Sequence, residues 1–202
     1  MKKNYIIEDF NKTVDTRFPA QAEALRAAMQ ARLSALRAEY ANAAKEAKLH
    51  LESQIMPGIA VYETLQTVLP KDEAVQTLHG YVEGKARREH ETYKKLLRLP
   101  GLYRLIPGLF VKGTRMMFGE AAGFAAREIE TSGRVWRIDM TKCPYHDACE
   151  KHGCPEICTC FCDSDDITYT DMHKRLIFHR TKTLGRGNDC CDFCLKIGDK
   201  QK

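Results

Sequence analysis

RVWRIDM, at residues 134–140, is the stretch where the periodicity of the sequence changes. Its apolar side chains, from Trp136 to Met140, alternate with charged ones, and an alternation of period two predicts a half-buried strand. KRLIFHR at 174–180 and CCDFCLKI at 190–197 are two further strand candidates, and the glycines of TLGRGN between them suit a hairpin turn. The C-terminal part of the chain is therefore predicted to form a small antiparallel sheet.

Before this change of period the sequence predicts helices. Between residues 16 and 55, apolar residues recur at steps of three and four, which places them on one stripe of a single long helix. Met56-Pro57-Gly58 is predicted to end that helix. Further helices are predicted at 59–69, at 71–97 and in a segment that reaches residue 117 with a kink at Pro107. FGEAAGFAAREIE, at 118–130, is predicted to extend the helical bundle.

We therefore predict an α+β protein in which an N-terminal helical bundle packs on a small C-terminal antiparallel sheet with a Cys-rich helical insertion. Residues 1–132 would form the helical region, and residues 133–202 would form the Cys-rich α+β region. We expect the two regions to be integrated in one domain, because 202 residues suffice for one sizeable core or for two small cores that share an interface.

The charge distribution argues against a nucleic-acid partner. The net charge of +5 arises in residues 1–140, which contain 22 Lys and Arg against 17 Asp and Glu, whereas residues 141–202 contain 10 of each. These charges form no dense basic block and no aromatic-interleaved basic motif. MKKNYIIEDFNK lacks the apolar run of a secretion signal, and GLYRLIPGLFVKG is too short to span a bilayer. We expect a cytoplasmic protein without a membrane partner, and the alanine-rich helix is compatible with a homodimer.

Six of the nine cysteines lie in CPYHDACEKHGCPEICTCFCDSDD, at residues 143–166. Disulfides are disfavoured, because the expected compartment is reducing and because an odd number of cysteines cannot pair completely. A zinc site could draw on the spaced pairs Cys154, Cys158 and Cys191, Cys194. The spacings of the other cysteines match no common metal motif. We expect no metal or other cofactor, with zinc as the alternative.

The period of a strand divides CCDFCLKI into two faces. Cys191, Phe193, Leu195 and Ile197 would face the core, and Cys190, Asp192, Cys194 and Lys196 would lie on the opposite side.

In the Cys-rich segment, Pro144 and Pro155 each occupy a place where a helix could begin. A helix after Pro155 would stack Cys158 and Cys162 on one face and turn Cys160 away. Three aspartates, Asp163, Asp165 and Asp166, would then cluster at its C-terminal end, where they oppose the helix dipole unless a cation compensates them.

Four segments in a fixed order resemble the L-2-amino-thiazoline-4-carboxylic acid hydrolase family. They are RMMFGEAAGF, KCPYHDAC, CPEICTCFCDSDDITY and RTKTLGRGNDCCDF, and the resemblance covers residues 56–197. It implies a hydrolase that opens a five-membered sulfur heterocycle to N-carbamoyl-L-cysteine. The positions it points to are Cys143, Cys162, Asp165, Asp166, Arg180, Thr183, Gly187, Cys191, Asp192 and Phe193. The other thiols, such as Cys149 and Cys194, are not hallmarks of that family.

Hydrolysis of such a ring needs a nucleophile, a general base and a general acid. Asp192 and either Asp165 or Asp166 are the candidates for acid and base, because burial can raise the pKa of a carboxyl. A cysteine nucleophile needs a lowered pKa, and Cys143 is better placed for one than Cys162, because it precedes a predicted helix. Arg180 or Arg186 would bind the substrate carboxylate.

These arguments predict catalytic roles among Cys143, Cys162, Asp165, Asp166, Cys191 and Asp192, and substrate contacts from Arg180, Thr183, Arg186 and His179. We expect an enzyme with a small-molecule substrate. The alternatives are a Cys-rich metal-binding or sensor module and a small-molecule binding protein without catalysis.

Overall fold

The computed structural model of the protein describes residues 4–198. The ends of the two predicted regions, residues 1–3 and 199–202, lie outside this range. The helices are α1 Tyr5–Arg17, α2 Ala22–Glu39, α3 Lys45–His50, α4 Met56–Leu65, α5 Lys71–Leu96, α6 Ile106–Met117, α7 Pro144–Lys151 and α8 Cys158–Tyr169. The strands are β1 Ala125–Thr131, β2 Val135–Lys142, β3 Leu176–His179 and β4 Cys191–Ile197. The fold is α+β, as predicted.

The apolar stripes of the first helices build the bundle core. In α1, the side chain of Asn4 accepts hydrogen bonds from the amides of Ile6 and Ile7, which caps the helix N-terminus. Ile6, Phe10 and Val14 follow at steps of four and are fully buried. The predicted stripe of α2, from Leu25 to Leu36, is also buried. Each helix therefore turns one apolar face toward its neighbours.

The prediction of one long helix between residues 16 and 55 is wrong. α1 ends at Arg17, just before the Phe18-Pro19 step, where the proline disfavours helical backbone in the preceding residue. The chain turns again after α2, between Glu39 and Lys45. The stripe does continue across these breaks, because three separate helices present it to the same core.

The predicted break at Met56-Pro57-Gly58 is also wrong. A π-helical turn, Leu51–Ile55, joins α3 directly to α4. Pro57 lies in the first turn of α4, directly after this wider turn. Because a proline ring clashes with the preceding turn of a regular α-helix, the wider turn is what lets the helix continue.

The sheet has four antiparallel strands in the order β1-β2-β4-β3. The three strands predicted from the sequence are β2, β3 and β4, and β3 pairs with β4 as predicted. The prediction that 118–130 extends the bundle is wrong, because the second half of this segment, from Ala125, is β1, which pairs with β2. Its alanines, glutamates and arginine favour helices as isolated residues, and strand pairing overrides that preference.

Two hydrophobic clusters fill the interior. One lies among the helices and includes four of the thiols, namely Cys149, Cys154, Cys158 and Cys160. The other lies on the inner face of the sheet, where β4 contributes Cys191 and Leu195 as the strand period predicts. Tyr145 packs against both clusters and therefore marks the junction between helices and sheet.

Candidate functional site

A cavity of about 1210 Å³ lies at this junction. Most of the surface of its wall is apolar, as is usual for a small-molecule site, although several charged residues, such as Glu8, Arg37 and Glu89, also line it. Five of the predicted site residues line it: Cys143, Cys162, Asp165, Arg180 and Cys191. They come from the start of α7, from α8, from the end of β3 and from β4, so the tertiary fold brings them together.

Arg180 holds α8 against the sheet. Its side chain is only 1% exposed, and its guanidinium lies 5.0 Å from the centre of the Phe193 ring. The Nη2 group donates to the carbonyl of Cys162 at 2.7 Å and to the carboxylate of Asp166 at 2.6 Å. The Nη1 group lies 3.5 Å from the carboxylate of Asp165. The buried Nε has no hydrogen-bond partner within residues 4–198.

Asp165 is the predicted carboxylate that faces the cavity. Desolvation raises its pKa to about 7, although the nearby positive charge of Arg180 acts to lower it. The side chain keeps 37% of its surface exposed, so solvent or a ligand in the cavity can reach it. A carboxyl with a pKa near neutrality can take up and release a proton under ordinary conditions.

Cys143 caps the N-terminus of α7, as predicted, but its environment does not favour a thiolate. Burial raises its pKa to about 12, and the amides of His146 and Tyr145, which oppose this effect, do not outweigh it. Burial also raises the pKa of Cys191, whose sulfur accepts a hydrogen bond from the amide of Leu184 at 3.3 Å. Both thiols are therefore protonated near neutral pH.

Four thiols form a hydrogen-bonded chain beside the cavity. Cys158 bonds to Cys149 and to Cys162, and Cys149 also bonds to Cys154. The bonds from Cys149 and Cys162 lower the pKa of Cys158. Cys162 lines the cavity and lies one turn from Cys158 on the same face of α8, as predicted, whereas Cys160 points away toward the carbonyl of Val75. Cys158 was not among the predicted catalytic residues.

The three aspartates lie in the C-terminal half of α8, as predicted. The helix continues to Tyr169, so Asp166 is in its last turn, whereas Asp163 and Asp165 precede that turn. Cations compensate them, because Arg180 pairs with Asp165 and Asp166 and Arg186 pairs with Asp163 at 2.5 Å.

Asp192 lies on the outer face of β4, away from the cavity. Its carboxylate accepts hydrogen bonds from the amides of Thr181 and Lys182 and from the hydroxyl of Thr181. Partial burial acts to raise the pKa of Asp192, but these bonds outweigh it and the pKa is lowered. Asp192 therefore holds the segment that follows β3 in place.

Four other predicted residues also lie away from the cavity wall: Asp166, Thr183, Arg186 and His179. Asp166 and Arg186 take part in the ion pairs on α8, and His179 is exposed at the end of an edge strand. Thr183 is buried, and its amide donates to the side chain of Asn188.

Sequence reasoning missed a histidine–tyrosine pair in the cavity. Nδ1 of His50 lies 3.2 Å from the hydroxyl of Tyr145, and Nε2 lies 3.1 Å from the carbonyl of Met117. Burial lowers the pKa of His50 and raises that of Tyr145, so both are neutral. Because a carbonyl only accepts, Nε2 carries the proton and Nδ1 accepts from Tyr145. Tyr145 stands in the KCPYHDAC segment, but no spacing links it to His50.

The side chains do not fit the alternative zinc site. Cys154 and Cys158 lie in the helical cluster, Cys191 lies in the sheet cluster, and Cys194 points from the opposite face of β4. Among residues 4–198, no cluster of three or more His, Cys, Asp or Glu side chains could hold a metal ion. All nine cysteines are free thiols.

Comparison with known proteins identifies the family. No curated protein matches the chain. In the part of the chain that the structure describes, no helix has the length and apolar character needed to cross a membrane. The sequence model of the L-2-amino-thiazoline-4-carboxylic acid hydrolases matches residues 48–195, which include the cavity residues of α7, α8 and β4. The match covers well over half of the 202 residues. The chain therefore belongs to the L-2-amino-thiazoline-4-carboxylic acid hydrolase family.

Proposed function

We propose that the protein is a hydrolase that opens 2-aminothiazoline-4-carboxylate, or a close analogue, to an N-carbamoyl-cysteine-type product. The observation that carries this proposal is Asp165, a carboxyl with a pKa of about 7 that faces a largely apolar cavity beside the buried cation Arg180. Family membership supports the same class of reaction, because the name of the family describes a hydrolase of this ring.

In the proposed reaction, water adds to the ring carbon that lies between sulfur and nitrogen. Ionised Asp165 removes a proton from the attacking water, which makes the water a better nucleophile. The carbon–sulfur bond then breaks, its electron pair goes to sulfur, and Asp165 returns the proton to the departing sulfur. The remaining hydroxyl proton of the adduct passes to the former ring nitrogen as the new carbonyl forms. The product therefore contains one new thiol and one new carbonyl, and its atoms equal those of the substrate plus one water.

The protonated state of the thiols favours water over cysteine as the nucleophile. Cys143 and Cys191 line the cavity with raised pKa values. The thiol with a lowered pKa is Cys158, which is buried and is not part of the cavity wall. A thiolate attack would therefore need either a costly deprotonation or a movement of α8.

Arg180 is the group that we propose binds the substrate carboxylate. In the part of the chain that the structure describes, its Nε is buried without a hydrogen-bond partner, and its side chain lines the cavity. A charged hydrogen bond from Nε to the substrate would satisfy this donor, and buried charged groups gain most from such a bond. A substrate bound in this way would have its ring close to Asp165, whose carboxylate lies 3.5 Å from Nη1 of Arg180.

Product identification tests this proposal. A catalytic amount of the full chain is incubated with 2-aminothiazoline-4-carboxylate, and the products are resolved by NMR and mass spectrometry. We expect N-carbamoyl-cysteine and one thiol per turnover, in excess over the thiols of the protein. Saturable binding of the substrate without product would instead support a non-catalytic binding protein. Neither binding nor turnover would contradict the proposal.

The proposal also includes a cytoplasmic location, a small-molecule substrate, no nucleic-acid partner and no resident metal. The cavity volume of about 1210 Å³ exceeds the roughly 300–1,000 Å³ of ordinary ligand pockets. Thiazoline carboxylates with an added apolar substituent therefore belong in the same assay.

A further inference from the structure

A further surface feature lies on the segment that runs from the last turns of α5 toward the sheet, and the residues that form it do not line the cavity. Residues 92–119 contain no Asp or Glu and six Lys or Arg residues. The chain as a whole has 27 acidic residues in 202, so 28 consecutive residues without one form an unusual run. The segment includes α6, which packs against β2 and carries a strongly apolar sequence.

The outer stripe of α6 is apolar where a surface helix is usually polar. Ile106 is buried, and Thr114 accepts a hydrogen bond from the indole of Trp136, so this side of α6 faces the sheet. The opposite side presents Leu109 and Met116, which are 55% and 68% exposed, and Leu105, which directly precedes the helix, is 59% exposed. With Lys112 they follow the spacing of four, three and four that defines one helical stripe. We call Leu105, Leu109, Lys112 and Met116 the α6 patch.

The charges around the α6 patch are basic. Arg104 precedes the patch and Lys112 stands within it, and both are exposed and make no ion pair within residues 4–198. Among the described residues, Arg104 donates a hydrogen bond only to the hydroxyl of Tyr103, at 3.3 Å. The next cation along the chain, Arg115, is neutralised by a bidentate pair with Glu128 of β1 at 2.7 Å. The unpaired charges next to the apolar stripe are therefore positive.

From this combination we infer that the α6 patch docks on an anionic lipid surface. Exposed leucine and methionine side chains insert at the boundary between headgroups and acyl chains, and flanking cations bind the anionic headgroups. The long stem of Lys112 can cover apolar surface while its ammonium group stays in the headgroup layer. Neither the insertion of apolar side chains nor the binding of headgroups by cations gives stable attachment alone, and the α6 patch provides both.

The charges argue against a second copy of the chain as the occupant. A symmetric pair of α6 patches would bring Arg104 and Lys112 of one copy close to the same cations of the other, and like charges at a desolvated contact repel. The sequence alone predicts a buried or partly buried helix here and no membrane partner; the exposed apolar stripe becomes visible only in the structure. The inference is independent of the proposed reaction.

Vesicle sedimentation of the full chain tests the inference. The wild type is mixed with vesicles of equal parts phosphatidylcholine and phosphatidylserine, and with vesicles of phosphatidylcholine alone. We expect binding to the anionic vesicles that weakens at high salt, because salt screens the headgroup charge. Two double variants, Leu105→Gln/Leu109→Gln and Arg104→Glu/Lys112→Glu, should each reduce the partition coefficient about tenfold or more.

Matched controls come from exposed residues elsewhere. Ile129→Gln changes an exposed apolar side chain of β1, and Lys45→Glu/Lys48→Glu changes two exposed cations of α3. Both controls should bind like the wild type. The inference is wrong if the wild type does not sediment with anionic vesicles, if controls and patch variants lose binding equally, or if the leucine variant abolishes a dimer in sedimentation velocity without any vesicle binding. Circular dichroism confirms that each variant is folded.

Discussion

At Asp165, two opposing effects set the charge of the carboxyl group. Desolvation raises the pKa to about 7, and Arg180 lessens the shift without cancelling it. Asp166, one residue further along α8, receives a hydrogen bond from the same arginine at 2.6 Å but does not line the cavity. Asp165 can therefore exchange protons with the cavity, whereas Asp166 binds the guanidinium of Arg180.

The first prediction concerns the pH dependence of turnover. If ionised Asp165 is the general base, kcat/KM should rise as the pH rises through about 7, because the free enzyme loses the proton that blocks the base. A pH profile of kcat/KM with 2-aminothiazoline-4-carboxylate measures this rise. A profile that is flat, or that falls, through this range would exclude Asp165 as the base.

The second prediction links the same residue to stability. The folded-state pKa of about 7 lies above the ordinary value of 3.8, so the folded state favours the protonated carboxyl. The resulting stabilisation is fully present below the unfolded pKa and is lost as the pH rises through the folded pKa. Asp165→Asn keeps a neutral group at every pH, and should therefore raise the Tm relative to wild type in alkaline solution.

The size of this effect is limited by exposure. Because 37% of the side chain is exposed, solvent screening reduces the free energy involved, and we expect a gain of about 1 kcal/mol, or about 2–4 °C in Tm. Thermal unfolding in mildly acidic and in alkaline buffer measures it. The difference between the two proteins should shrink in acid, and a Tm gain that is equal at both pH values would contradict the linkage.

Among the secondary-structure elements, the contact between α8 and the turn before β4 positions the thiols. A 3₁₀ turn, Leu184–Arg186, packs on α8 through Gly185. A Cβ atom at Gly185 would lie 3.0 Å from the sulfurs of both Cys158 and Cys162, which is closer than normal packing allows. The glycine therefore lets the turn approach the hydrogen-bonded chain of thiols.

The third prediction is that Gly185→Ala destabilises the protein. Forcing a methyl group into this contact should cost about 1–3 kcal/mol, as overpacking in a core does. Gly80→Ala is the matched control, because a Cβ at Gly80 in α5 meets nothing within 4 Å, and it should be neutral or stabilising. Urea unfolding measures both changes. Equal stability of the two variants would show that the contact at Gly185 relaxes freely.

The elements that the sequence predicted well are those whose pattern is local. CCDFCLKI alternates strictly, so the buried face of β4, with Cys191 and Leu195, could be predicted from the period alone. β1 could not be predicted in this way, because five of its seven residues are exposed and most of them favour helices individually. The breaks that follow α1 and α2 were hidden because separate helices continue the same apolar stripe.

In the candidate site, too, the sequence predicts the features that depend on local spacing and misses those that depend on tertiary packing. Cys162 and Asp165 share α8, and their common helix could be predicted from Pro155 and the spacing. Whether Asp165, Asp166 or Asp192 faces the cavity depends on how α8 rotates against the sheet, which no local pattern encodes. The contact of His50 with Tyr145 joins residues 95 positions apart and is likewise a product of tertiary packing.

For the whole molecule, the positions of the thiols bear on metal dependence. The fourth prediction is that removal of metals leaves activity unchanged, because the alternative zinc ligands are spread over two hydrophobic clusters and both faces of β4. The measurement is elemental analysis of the purified protein together with turnover before and after treatment with a strong chelator. Stoichiometric zinc whose loss abolishes turnover would overturn the metal-free reaction.

The helical bundle and the sheet form the site jointly. Tyr145 packs on both hydrophobic clusters, and Arg180 ties β3 to α8, so the cavity exists only where the two parts meet. α6 also reaches the cavity, since Met117 at its end lines the wall and accepts a hydrogen bond from His50. The candidate membrane surface and the candidate active site therefore share one element.

The most direct test of the account compares two carboxylates of the same chain. Asp165→Asn and Asp192→Asn remove one negative charge each, but only Asp165 lines the cavity, while Asp192 fixes Thr181 and Lys182. Steady-state kinetics with 2-aminothiazoline-4-carboxylate, measured beside the wild type, should show a loss of about 10²-fold or more in kcat/KM for Asp165→Asn. Asp192→Asn should retain most of the wild-type rate once its folding has been confirmed. Undiminished turnover by Asp165→Asn would contradict the central role of this carboxyl.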